Sequence, residues 1–138
     1  MKKLLAVALA IFLPLAASAS CTYTTDTGSS TTKSVCTTTS EAAPTLVSEG
    51  RALDGLAGMF IIATASSAWT AGGTLNAYIW SPQAGVWVRA PDYDLTVPGS
   101  TGQAWGAFYI PVPQGRIDYK PAGVGAVTTT IYMVGATR

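Results

Sequence analysis

From Ala42 to the C-terminus no stretch of the chain keeps a helical period; short runs rich in Val, Ile, Tyr, Trp and Thr are instead cut by Gly and Pro. Such a run turns successive side chains to opposite faces, so it can be buried as a strand but has no stripe to lay down as a helix. The pattern predicts strands over 45–53, 56–66, 74–80, 86–89, 93–98, 104–112, 115–119 and 126–135. Strands with no helix to cover them need a second sheet or closure into a barrel. We therefore expect residues 42–138 to form an all-β, two-sheet β-sandwich of about eight strands, jelly-roll or immunoglobulin-like in type.

Three turns support this reading. Asp54-Gly55 between Leu53 and Leu56 is a two-residue hairpin signal, because a type I′ turn needs positive φ at both central residues. It predicts that the first two strands pair. Pro82-Gln83-Ala84-Gly85 separates two aromatic strands, and Pro98 to Gly102 breaks the chain before Trp105. Leu75, Ala77, Ile79, Val86, Val88, Leu95, Val97, Ile131 and Met133 recur at the period of two that turns one strand face inward, and form the expected core.

The N-terminus reads differently. Lys2-Lys3, the apolar run Leu4 to Leu15 and the small residues Ala17-Ser18-Ala19 make the three-part pattern of a secretory signal peptide over 1–19. The run is too short to span a bilayer, which takes about 20 apolar residues. Residues 20–41 form a Thr/Ser-rich arm carrying both cysteines, Cys21 and Cys36. Export favours a Cys21–Cys36 disulfide, expected to tie the arm to itself and not to the core. The rival is a lipid anchor on Cys21, the one route by which a membrane enters as partner. The arm itself has two readings, a flexible, glycosylated linker or a stapled hairpin turning at Asp26-Thr27-Gly28-Ser29.

Charge narrows the partners. Loss of residues 1–19 takes Lys2 and Lys3 from the eight basic residues and leaves all seven acidic ones, a net charge of −1. With no basic stripe there is no footprint for nucleic acid. Charged residues are only 11% of the chain, well under the usual share of about a quarter, so the surface must be mostly Thr, Ser, Gly and Ala. Near-zero net charge favours association, which suits a subunit packed against neighbours.

Catalytic designs find little to use. The chain has no histidine, which removes the usual triads and histidine metal sites, and no cofactor or metal is expected. Paired carboxylates remain for a small hydrolase, with Asp92, Asp94, Glu49, Asp54 and Asp118 as candidates. Asp92 and Asp94 would share a side of an extended chain and suggest a calcium seed, but two carboxylates fall short of the six to eight oxygens calcium takes. Arg89 as counter-charge is the simpler reading.

The aromatic hairpin is the most informative feature. A loop at Pro82 to Gly85 sets Ser81 opposite Val86, Trp80 opposite Trp87, Ile79 opposite Val88 and Tyr78 opposite Arg89. Ile79 and Val88 then share one face, while Tyr78, Trp80, Trp87 and Arg89 share the other as the candidate binding face. Three readings stay open: a stacking or interface surface, rings that merely cover the sheet, or a buried tryptophan pair. The functions expected follow from these. First is a non-catalytic exported structural or assembly subunit of a surface layer, filament, appendage or virion-like particle, partnered by itself or another surface protein. The alternatives are a carbohydrate- or protein-binding adhesion module, with a glycan as ligand, and the small hydrolase.

Overall fold

The described residues form ten strands: β1 (Cys21–Thr25), β2 (Thr31–Cys36), β3 (Arg51–Ala52), β4 (Leu56–Ala65), β5 (Gly73–Ser81), β6 (Val86–Arg89), β7 (Leu95–Val97), β8 (Gln103–Tyr109), β9 (Arg116–Ala122) and β10 (Thr129–Thr137). The computed structural model describes residues 21–25, 31–36, 43–46, 48–110, 115–125 and 127–137. The signal peptide over 1–19, the turn at Asp26 to Ser29 and the boundary at 41–42 lie outside the described residues.

The expected β-sandwich forms, as two five-stranded antiparallel sheets. The first runs β1-β2-β10-β4-β8; the second runs β3-β9-β5-β6, with β7 also paired to β5. Apolar residues at alternate positions face inward and fill the space between them: Met59, Ile61 and Ala63 of β4, Leu75 and Ala77 of β5, Ile117 and Tyr119 of β9, Ile131 and Met133 of β10. Trp69, in the β4–β5 connection, is also buried, and its indole Nε1 donates to Thr129 Oγ1 at 3.2 Å. Burying a ring of this size removes it from water while the hydrogen bond satisfies its one polar atom.

Several expectations are corrected. Val86 and Val88, assigned to the core, are 50% and 49% exposed. They pair with Ser81 and Ile79, but β6 is an edge strand of the second sheet, with a neighbouring strand on one side only to cover its side chains. Ile79 is partly buried against the core; the other six expected core residues are buried.

Asp54-Gly55 does not close a hairpin. Leu56 N donates to Leu53 O at 3.1 Å, and of the two central residues only Gly55 has positive φ, at 74°. A turn with positive φ at its second centre alone is not type I′, so the flanking strands are free to diverge. They do: β3 pairs with β9 in one sheet, and β4 with β10 and β8 in the other. The strand expected over 45–53 shrinks to Arg51–Ala52. The residues before it are held as a loop, because the Glu49 carboxylate accepts from Thr45 N and Leu46 N at 2.6 and 2.8 Å.

The N-terminal arm takes the hairpin reading, and the Cys21–Cys36 disulfide forms at a directly paired position, Cα atoms 4.2 Å apart. It is not, however, tied only to itself. β2 pairs along six residues with β10, and Thr32, Ser34 and Cys36 are buried. Alternation explains this: Thr and Ser at every second position present small side chains that pack inward as readily as Ala. The bond also engages the thiol that a lipid anchor on Cys21 would require.

Candidate functional site

The β5–β6 hairpin adopts the expected register, with Tyr78 opposite Arg89 and Trp80 opposite Trp87. The two indoles meet edge to face, centroids 5.8 Å apart, and the Arg89 guanidinium lies 5.5 Å from the centre of the Tyr78 ring. All four side chains are half-buried. The polar ends of Arg89 and Trp87 are engaged within the chain. Arg89 grips both Asp94 carboxylate oxygens at 2.5 Å and also donates to Asn76 Oδ1 and Ala77 O. Trp87 Nε1 donates to Leu46 O at 3.2 Å.

That last bond brings a second element onto this face. The Arg116 guanidinium donates to the carbonyls of Ser48, Glu49 and Gly50 at 3.0, 2.8 and 2.7 Å, clamping the loop before β3 against β9. Gly50 fits there because it has φ of 70° and no side chain; a Cβ would stand 2.1 Å from Ile117 O. Trp80 also borders a cleft of about 270 Å³ between the sheets, walled by Leu53, Met59, Ile79, Phe108 and Ile110.

The carboxylates proposed for chemistry are accounted for separately. Pro91–Tyr93 is a short 3-10 turn, so Asp92 and Asp94 are not on an extended segment, and Asp94 belongs to Arg89 and to Ala77 N. Asp118 is buried beside Lys120 and Tyr23. Tyr23 donates its hydroxyl to Asp118 Oδ2 at 2.7 Å, and Lys120 Nζ sits 3.0 Å from the same oxygen and 2.6 Å from Tyr23 Oη. Glu49 adds a second carboxylate 3.6 Å from Lys120. Burial pushes the Asp118 carboxyl above its ordinary value although Lys120 and Tyr23 pull it down, and burial followed by the Asp118 charge raises the Tyr23 hydroxyl. This cluster joins the first strand of one sheet to β9 of the other. Among the described residues there is no group of three or more His, Cys, Asp or Glu placed to hold a metal ion, and no helix long and apolar enough to cross a membrane.

The sequence did not single out the outer face of the first sheet. Inward residues of β4 and β8 have odd and even numbers respectively, which leaves Phe60, Ile62, Trp105, Ala107 and Tyr109 facing outward. Trp105 is 69% exposed, Tyr109 70% and Phe60 37%. Phe60 and Trp105 touch, centroids 5.7 Å apart. The register carries the surface onward: Ile62 lies between Trp105 and Tyr132, and Phe60 between Ala107 and Val134. Among the described strand residues of this face, Lys33, 6.0 Å from the centre of the Tyr132 ring, is the one charge. Both faces of β4 and β8 are apolar in sequence, so periodicity could not say which one the core would take.

Compared with protein-family models, curated proteins and solved structures, the chain finds no match. Fold and surfaces together define an all-β sandwich with no catalytic signature among its described residues. Its disulfide accords with an oxidising, extracytoplasmic setting.

Proposed function

We propose that the protein is a non-catalytic, exported structural subunit that self-assembles through the outer face of its first sheet. The observation that carries this reading is the aromatic and aliphatic surface around Trp105, Tyr109, Phe60 and Ile62, which carries a single charge. Soluble monomers rarely leave contiguous apolar patches of more than a few hundred Å² uncovered. The tryptophan hairpin supports the choice by contrast, since its Trp87 and Arg89 polar groups are already bonded in the chain. The carboxylates point the same way: Asp118 has no exposure to meet a substrate, and Asp94 is held by Arg89.

A glycan-binding adhesion module is the second reading, favoured by the two open rings of β8, Trp105 and Tyr109. Light scattering of the mature protein, with glycan binding measured alongside, separates the two. Assembly predicts a mass above the monomer and a Trp105→Ala variant that loses about 2 kcal/mol or more of association energy, the size of an interface hot spot, with an unchanged melting temperature. A monomer that binds glycans through Trp105 would replace the assembly reading.

A further inference from the structure

The free edge of the first sheet at β8 leads further. Ile110 N donates to Ala57 O and Ala65 N to Gly102 O, which fixes the phase of the β4–β8 ladder. Antiparallel strands alternate hydrogen-bonded and non-bonded pairs, so residues 104, 106 and 108 turn their backbone groups to β4 and residues 103, 105, 107 and 109 turn theirs outward. No other strand pairs with β8 among the described residues. The Thr101 hydroxyl reaches Gln103 O at 3.4 Å; among the described residues no outer backbone partner meets Trp105, Ala107 or Tyr109.

Exposed edges are usually blunted by shortness, charge or proline. Three of the other edges fit that rule, since β3 has two residues, β7 three, and β6 four including Arg89, while β1, the far edge of the first sheet, has five with no charge or proline. β8 has seven residues, Gln-Ala-Trp-Gly-Ala-Phe-Tyr, with no charge and no proline.

We infer that β8 pairs antiparallel with β8 of a second copy about a two-fold axis at Gly106, joining two first sheets into one continuous sheet. This rests on the assembly reading and adds to its face contact a second one, at the sheet edge. The strand's own sequence supplies the fit. Folding it onto itself at Gly106 sets Trp105 against Ala107, Phe108 against Ala104 and Tyr109 against Gln103, a bulky ring against a smaller side chain each time. The residues whose backbone groups point outward are then opposite one another, as a hydrogen-bonded ladder requires. Glycine meets glycine at the axis, in a non-bonded pair where the backbones come closest. No like charges meet across the junction.

The test uses the mature, disulfide-intact chain. Ala107→Pro deletes an N–H that points away from β4, so the in-chain sheet keeps its bonds while the intermolecular ladder loses two, one from each copy. Scattering should show the mass falling at least two-fold toward the monomer, with near-ultraviolet dichroism unchanged. Independently, Gln103→Cys and Tyr109→Cys variants should give a doubled mass with a short thiol cross-linker when mixed, and far less when either is alone, because each position faces the other across the axis. If Ala107→Pro fails to fold, the cross-linking decides. An assembly that keeps its mass in Ala107→Pro and gives no mixed 103–109 cross-link overturns the strand pairing alone. A wild-type chain that stays monomeric at high concentration overturns the assembly reading with it.

Discussion

Asp118 shows how one buried side chain ties stability to pH. Its carboxyl is raised from the ordinary 3.8 by burial, so the folded chain holds a proton that the unfolded chain has already released. Its contribution to stability is fully present below about 3.8 and is lost as pH rises through the folded value. Melting temperature measured against pH should therefore fall across that window, and Asp118→Asn should flatten the slope; a variant with an unchanged slope would overturn the assignment to Asp118. Trp69 makes the complementary case for packing. Trp69→Ala should lower stability by about 3–5 kcal/mol in chemical denaturation, because a buried ring leaves a cavity. Periodicity could not have placed Trp69 inside, since it sits in a connection between strands where no alternation applies.

At the scale of elements, the joining of the β1–β2 hairpin to the first sheet and the loop before β3 carry most of what the sequence concealed. Replacing Cys21 and Cys36 together with Ser should cost about 3 kcal/mol for a closure spanning 15 residues. The loss should appear as one lowered calorimetric transition, because β2 lies between β1 and β10 and cannot loosen without the sheet. Two separate transitions would restore the independent arm. Gly50→Ala should strain the backbone at φ of 70° and lift residues 43–50 from β9, costing more than about 1 kcal/mol. Trp87 fluorescence should shift, since its indole bonds Leu46 in that loop. Strands from β4 onward were legible within a few residues, because Val, Ile and Tyr runs between Gly and Pro leave little choice. The hairpin register of Trp80 and Trp87 was legible too, because a short loop sets it locally. Which sheet each strand joins was not, as with Asp54-Gly55, where a turn that resembles a hairpin carries the chain from one sheet to the other. The candidate face on Tyr78, Trp80, Trp87 and Arg89 was legible as a neighbourhood; its partners Asp94 and Leu46 come from elsewhere in the chain and left no local signal.

For the whole molecule, an interface made of rings and aliphatic groups beside one lysine should respond to solvent as apolar contact does. Association followed by sedimentation should change little between low and moderate sodium chloride and strengthen in sulfate, whereas a charge-driven assembly would dissociate as chloride screens it. The strand order sets a further condition, this one in time. β10, which follows every other described strand in sequence, is the middle strand of the first sheet, with β2 on one side and β4 on the other. A chain emerging from its N-terminus can close the β1–β2 hairpin early, but β2 and β4 have no common neighbour until Thr129–Thr137 arrives. Joining strands so far apart in sequence incurs its loop-closure entropy before contacts repay it, and such topologies fold slowly. Completion is thus postponed until Thr129–Thr137 has been added, and the growing chain stays pliable enough to be threaded until that strand is in place.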